Sequence, residues 1–244
     1  MKTTIEGIVL NETNYGETSK ILNVLTKEYG YISIISKGSR KIKSKLRGIS
    51  MTLVLANFTI NYKPKGISTL IEGNPINSLK NIFTDFSKMN YAMYLVKLTK
   101  SVLKDTFNNS LYDILKNALL KINEGFNPLF IANIVEIKYL SFLGVEPNFT
   151  NCYNCLETDI ITFDLKNGGV VCKNCYNDTY IFNKNTLKLL KLFQTIDISK
   201  IDKLNISNEL VVREIQDFIK EYYETYTGIY LIDKNKLTNL MNIT

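Results

Sequence analysis

Apolar and polar residues alternate along the first 80 residues in a pattern typical of β-strands. Apolar-rich runs are separated by glycine- and asparagine-containing turn signals, and the runs cover residues 4–11, 20–27, 31–36, 51–63 and 67–74. Five short strands joined by tight turns fit a small Greek-key barrel. We therefore predict that residues 1–78 form an oligonucleotide-binding (OB) barrel.

The fourth run defines the faces of one predicted strand. Phe58, Ile60 and Tyr62 share one face, whereas Leu53 and Leu55 have the opposite parity. This shift predicts a β-bulge near Ala56, which would let the strand bend as a barrel requires. We expect Phe58 and Tyr62 to fill the barrel rather than to stack on bases.

Apolar spacing changes to a helical period after residue 78. Helices are predicted to begin at caps such as Ser110, Asn127-Pro128 and Ser207, and to end at glycines such as Gly144 and Gly228. The apolar and aromatic stripes of these helices predict a core. The fold class is therefore multidomain α+β: the barrel is followed by an α-helical domain over 79–244.

All four cysteines lie in two Cys-x-x-Cys pairs separated by 16 residues: Cys152, Cys155, Cys172 and Cys175. Two pairs at this spacing are typical of zinc ribbons, in which a hairpin brings the second pair to the first. Asn167-Gly168 supplies the turn of that hairpin. We predict a structural zinc site in a cysteine module over 149–180, with iron or a metal-free redox pair as alternatives.

The net charge of +7 belongs entirely to the first third of the chain. Residues 1–80 hold twelve basic and five acidic residues, whereas the rest is balanced. One segment dominates, and we call residues 37–47 the basic loop. It carries six cations and no acid, and these are the candidate DNA-binding residues: Lys37, Arg40, Lys41, Lys43, Lys45 and Arg47. Such a segment binds phosphates without reading sequence, although a solvated loop without a ligand is the alternative.

Several function classes lack their signatures. The chain has no histidine, and it contains no phosphate-binding loop, dinucleotide fingerprint or nucleophile elbow. No catalytic residue is predicted, and the five acids of residues 1–80 are scattered rather than clustered as a nuclease would require. The first residues have no apolar signal region, and no run of about 18 uncharged apolar residues suggests a membrane span. We expect a cytoplasmic protein without enzymatic activity.

Together these features resemble the RecO family of bacterial DNA repair proteins, which are recombination mediators. The blocks that carry the resemblance follow one another along the chain: Gly7-Ile8-Val9-Leu10, Tyr15-Gly16-Glu17, Leu25-Thr26 with Gly30, Lys37-Gly38-Ser39-Arg40-Lys41 with Ser44, Phe142-Leu143-Gly144-Val145-Glu146-Pro147, the two cysteine pairs, Phe163 and Gly168-Gly169. Beyond residue 180 the match is only an apolar helical pattern with a short terminal segment over 236–241.

The resemblance implies a function in DNA repair. RecO-like proteins bind single- and double-stranded DNA and anneal complementary strands. With a RecR-type mediator they help to load the RecA recombinase onto DNA coated by single-strand-binding protein (SSB), whose acidic C-terminal tail they contact. The resemblance also implies a bacterial, nucleoid-associated location. A zinc-ribbon factor that binds RNA or promoter DNA is the alternative function.

Overall fold

The computed structural model describes residues 1–103 and 109–238, and two compact units divide them, one over Met1–Gly125 and one beginning at Phe126. The first unit contains a closed five-stranded barrel with the strand order β1-β2-β3-β5-β4. All neighbouring strands are antiparallel except β3 and β5. The strands are β1 (Lys2–Tyr15), β2 (Ser19–Thr26), β3 (Gly30–Ser36), β4 (Leu55–Asn61) and β5 (Ser68–Asn77). The predicted OB-fold barrel is confirmed.

The ladder between β4 and β5 shifts register where the parity of the apolar residues of β4 predicts. The register shifts between Leu55 and Ala56 and again between Thr59 and Ile60. Phe58 and Ile60 are fully buried, and Asn57 on the other face is exposed. The predicted register shift near Ala56 is present, but its extra residue, Ile76, lies in β5, so the bulge is on β5 and β4 keeps an unbroken register with β1.

The barrel interior is filled by branched and aromatic side chains from every strand. Alternate positions point inward, so each strand contributes one to three residues to one buried cluster, whose members include Ile5, Val9, Leu22, Val24, Ile34, Phe58, Ile60 and Leu70. Leu46 of the basic loop and Tyr62 are half-buried against the same cluster. The expectation that Phe58 and Tyr62 pack on the barrel interior is confirmed.

Three helices complete the first unit: α1 (Lys80–Phe83), α2 (Phe86–Val102) and α3 (Asn109–Glu124). Helix α3 packs against β1 and β2. The prediction that Ser110 caps this helix is wrong, because α3 begins at Asn109 and Ser110 lies in its first turn. The strands end at Asn77, and the compact unit extends to Gly125; a boundary between the predicted domains 1–78 and 79–244 stays a prediction.

Over residues 126–238, the second unit contains four α-helices and one hairpin. Asn127 caps its first helix through its side chain, with Pro128 at the first helical position, as predicted. The elements are α4 (Pro128–Phe142), β6 (Ile160–Asp164), β7 (Gly169–Cys172), α5 (Lys184–Thr195), α6 (Glu209–Thr227) and α7 (Lys234–Thr238). The predicted terminal segment over 236–241 lies only partly within the described residues.

Helix α6 begins one residue later than predicted. The side chain of Asn208 accepts a hydrogen bond from the Val211 backbone N–H, so Asn208 is the cap and Ser207 is not. Asparagine and serine are equally good caps, which is why the pattern alone could not choose between neighbours. Gly228 ends the helix in the left-handed conformation (φ 65°), as predicted.

An aromatic cluster holds the hairpin on α6. Phe163 of β6 lies edge-on to Phe218, with ring centroids 4.9 Å apart, and Phe149 lies 5.1 Å from Phe163. Phe163 and Phe218 are fully buried. The predicted aromatic stripe of this helix is therefore core. Within the described residues, no helix has both the length and the apolar character needed to cross a bilayer.

Candidate nucleic-acid interface and candidate metal centre

The basic loop connects β3 to the turns that precede β4, and all six of its cations are exposed. The backbone between them folds as a series of tight turns. Lys41 N–H donates to the Gly38 carbonyl, Ser44 to Lys41, and Arg47 to Ser44, at 3.0–3.2 Å. A chain of such turns fixes where each side chain leaves the backbone. The segment is thus an ordered, cation-bearing surface of the barrel unit.

Serine hydroxyls fasten this loop to the barrel. Ser36 and Ser50, which flank the loop, share a hydrogen bond of 2.8 Å, and both are fully buried. Ser39 is also buried, and its hydroxyl donates to the Ser36 carbonyl at 3.0 Å. The sequence analysis assigned no role to Ser36 or Ser50. Nothing in their spacing could reveal a bond across 14 residues.

Arg40 ties the loop to the turn between β1 and β2. Its backbone N–H donates to the Thr18 carbonyl at 2.8 Å, and its guanidinium donates to the Gly16 carbonyl at 3.1 Å. A guanidinium carries five N–H donors, so this bond leaves most of the exposed group free for a phosphate. The bond also orients the side chain toward the edge of the barrel.

The six cations lack carboxylate partners. Within residues 1–103 and 109–238, no ion pair shorter than 4.0 Å involves any of them. Lys20 nearby behaves differently, since its ammonium lies 2.9 Å from Glu12. Unpaired like charges repel each other, and an anion that binds between them relieves this repulsion.

The four cysteine sulfurs form a compact group, which we call the thiol cluster. All lie within 4.8 Å of one another, and Cys155 Sγ is 3.5 Å from Cys172 Sγ. Four sulfurs that bind one zinc ion at about 2.3 Å stand about 3.8 Å apart, so the observed spacing fits a tetrahedral metal. Cys152 and Cys172 are buried, whereas Cys155 is exposed. The sequence prediction that the two pairs meet is confirmed.

The hairpin positions this cluster as expected. Gly168 occupies the left-handed region (φ 66°) in the turn between β6 and β7, and Cys172 is the last residue of β7. The backbone of Tyr153 donates to the Val170 carbonyl at 2.9 Å, which fixes the first cysteine pair to β7. Asn154 Nδ2 donates to Cys175 Sγ at 3.5 Å; the Cys-x-x-Cys spacing gave no signal for this contact.

The thiols differ in their readiness to ionise. Burial raises the pKa of Cys152, but the backbone N–H groups of Cys172, Cys155 and Asn154 donate to its sulfur, and the net pKa falls to about 6. The Glu157 backbone N–H lowers the pKa of Cys155, yet the neighbouring sulfurs of Cys175 and Cys172 outweigh it and raise the pKa to about 12. The Cys152 thiolate therefore forms readily, whereas ionisation of Cys155 is opposed. A bound cation removes that opposition, so the donor set fits a metal.

The barrel topology, the helical second unit and the thiol cluster define the class: an OB-fold protein with a compact four-cysteine site. Two family models match the chain, Recombination protein O N terminal over residues 1–79 and Recombination protein O C terminal over residues 84–234. The chain belongs to the Recombination protein O (RecO) family. This membership supports a role in DNA repair and recombination.

Individual relatives agree along almost the whole chain. The DNA repair protein RecO of Bacillus cytotoxicus is 34% identical over 241 residues, which cover 97% of this chain and 96% of that protein. The RecO protein of Bacillus pumilus is also 34% identical, with coverage of 97% and 93%. The RecO protein of Bacillus subtilis is 32% identical over 245 residues, with coverage of 98% and 95%.

Proposed function

We propose that this protein is a non-enzymatic DNA-binding recombination mediator whose basic loop holds the phosphates of single- and double-stranded DNA. The observation that carries the proposal is the set of six exposed cations that have no carboxylate partner among the described residues, on a loop fastened to the barrel. Each phosphate contact releases counterions, which gives affinity without sequence preference.

The same surface suits strand annealing. Two DNA strands repel each other through their phosphates, and cations between them reduce that repulsion. Lysine and arginine side chains that contact phosphates leave the base edges free to pair. Arg40 and Arg47 are the candidates for fixed contacts, because a guanidinium binds two phosphate oxygens at once.

The partners proposed for the chain follow from its family resemblance. They are a RecR-type mediator and the acidic SSB tail, with RecA loaded indirectly onto SSB-coated DNA. An acidic tail and DNA are both polyanions, and a cationic barrel surface attracts both.

We also propose that the thiol cluster binds Zn²⁺ as a structural ion. Four thiolates fill the four positions that zinc prefers, so no position is left for water or a substrate. The ion would join the first cysteine pair to the end of β7 and so hold the cysteine module against the helices that follow it.

A titration with salt tests the DNA-binding proposal. We expect the variant with Lys41→Ala, Lys43→Ala and Lys45→Ala to bind single strands more weakly and with a salt slope shallower by about 2, since each lost contact removes about 0.7. The matched control carries Lys184→Ala, Lys188→Ala and Lys191→Ala on α5, where the side chains are also exposed. An unchanged slope in the loop variant refutes the assignment.

Strand annealing separates this function from its rivals. The protein should pair complementary oligonucleotides of any sequence, with and without SSB, and the loop variant should do so more slowly. A strong preference for one RNA or promoter sequence would favour the zinc-ribbon regulatory factor. Cleavage of DNA with Mg²⁺ or Mn²⁺ would favour a nuclease.

A further inference from the structure

The barrel has two ends, and the basic loop occupies one of them. Ser36, after which the loop begins, pairs with Lys20 near the turn between β1 and β2. Thr26 pairs with Gly30 at the opposite end, where β2 turns into β3. Strand β2 has eight residues, so the two ends are separated by about 23 Å of strand.

The end opposite the loop carries a second group of lysines. Lys2 begins β1 and pairs with Asn61, the last residue of β4. Lys27 lies in the turn between β2 and β3, and Lys63 and Lys65 lie in the connection from β4 to β5. All four are exposed, and within the described parts of the chain none forms an ion pair.

Carboxylates at this end do not cancel these charges. Glu6 is already occupied, because it binds the Lys116 ammonium and accepts a hydrogen bond from the Tyr112 hydroxyl at 2.7 Å. Lys116 and Tyr112 help to hold the pKa of Glu6 below its usual value against the opposing effect of burial, so it stays ionised and engaged. Glu28 accepts from the Glu6 backbone N–H at 3.2 Å. The four lysines therefore outnumber the carboxylates available to them.

Tyrosines lie among these lysines. The ring of Tyr29 stacks on Tyr62, with centroids 4.2 Å apart and planes 26° apart, which joins the β2–β3 turn to the end of β4. The Tyr62 backbone donates to the Met1 carbonyl at 2.8 Å. Tyr31, one residue beyond Gly30, is 45% exposed. Exposed tyrosine rings beside cations are the usual platform for the bases of a single strand.

The two ends differ in their content of tyrosine. The basic loop, residues 37–47, contains six cations and no aromatic residue, and one exposed tyrosine, Tyr15, lies at the adjacent β1–β2 turn. The opposite end, which we call the tyrosine end, combines Lys2, Lys27, Lys63 and Lys65 with Tyr29 and Tyr31. A group of this composition binds phosphates and also stacks on unpaired bases.

We infer that the tyrosine end is a second binding site for single-stranded nucleic acid, so that one barrel holds two strands and bridges them. The inference rests on the proposed function, in which the basic loop holds the first strand. A protein that holds two strands at once raises their local concentration before they pair.

A bridging experiment without base pairing tests this inference. Oligo-dT is fixed to beads, the full-length protein is added, and capture of fluorescent oligo-dC is measured. The tyrosine-end variant Tyr31→Ala, Lys63→Ala, Lys65→Ala should still bind the beads through its basic loop. It should capture about tenfold less oligo-dC, because one stacked base and two phosphate contacts are lost. The Tyr31→Phe variant keeps the ring and should capture as the wild type does.

The outcomes separate the two proposals. If the wild-type protein does not bind oligo-dT at all, the proposed function fails. If it binds but the tyrosine-end variant bridges as well as the wild type, only the second site is refuted. Bridging that requires two protein copies for each captured strand, as measured by sedimentation of the complex, also refutes it. The α5 lysine variant controls for a general loss of charge, and circular dichroism verifies that each variant folds.

Discussion

Each unit of this protein contains a distinctive group of charged side chains, and the two groups contrast. In the barrel unit, the cations of the basic loop are exposed and have no carboxylate partner among the described residues. In the second unit, the ammonium of Lys234 is buried against the carboxylate of fully buried Glu136, and it donates to Asn133 Oδ1 at 2.9 Å. Glu214 is likewise buried, and it accepts hydrogen bonds from Tyr180, Asn183 and Thr186.

This difference separates charges that serve the fold from charges available to a ligand. A buried ion is tolerated only where partners replace its water, so the Lys234–Glu136 pair fixes the short helix α7 on α4. An exposed ion needs no partner to be stable, and six of them on one ordered loop add little to the fold. Water and counter-ions surround them, and they stay available to an anionic ligand.

Removal of the proposed metal should cause the largest loss of stability in the second unit. Structural zinc contributes about 10–16 kcal/mol of binding free energy in small sites. We expect Cys172→Ser to lower the metal content from one ion per chain to almost none and to expose residues 149–180 to proteolysis. Binding of DNA through the basic loop should persist.

The control variant for this prediction changes a residue two positions after Cys172. Asn174 is exposed between Cys172 and Cys175, and Asn174→Ser should leave the metal content unchanged. Elemental analysis of protein purified without chelator decides the matter. The metal proposal fails if the native protein contains neither zinc nor iron.

Removal of Glu136 from the buried Lys234–Glu136 pair should cause the next largest loss of unfolding free energy. Glu136→Leu removes the carboxylate from the buried Lys234 ammonium, and the loss of one partner of a buried ion pair costs about 3–5 kcal/mol of unfolding free energy. Urea denaturation measures this cost. The barrel unit should keep its affinity for DNA.

The double variant shows whether charge or packing is responsible. Glu136→Leu with Lys234→Met replaces both ions by apolar groups, and such replacements are often neutral or stabilising. We expect it to recover most of the lost stability. Equal destabilisation of the single and double variants would contradict the role given to the ion pair.

The sequence predicted features that depend on local pattern. Strand period and parity identified the barrel and the register shift near Ala56, because one face of each strand must be buried. They did not reveal that the extra residue lies in β5. The Cys-x-x-Cys spacing identified the thiol cluster, because metal geometry limits the distance between ligands. Each of these constraints acts within a short segment of the chain, so the sequence pattern of that segment reveals it.

Contacts between distant residues could not be predicted. The Ser36–Ser50 bond, the Tyr29–Tyr62 stack and the Lys234–Glu136 pair join residues whose separation in sequence carries no period. Each depends on the complete packing of its unit. The second group of lysines was also missed, since Lys27, Lys63 and Lys65 lie at separate turns and form one group only after the barrel closes.

The smallest predicted effect concerns a neutral group, the cap of α6. Asn208→Ala removes the side-chain acceptor for the Val211 N–H and should reduce the unfolding free energy by about 1 kcal/mol. Ser207→Ala, the cap predicted from sequence, should change it by much less. The midpoints of urea unfolding compare the two, and a larger loss in the Ser207 variant would show that the helix begins at Ser207 in solution. Neither residue is charged, so both variants should bind DNA with wild-type affinity. Such a result would show that the stability of the second unit can change without a change in the DNA binding proposed for the basic loop.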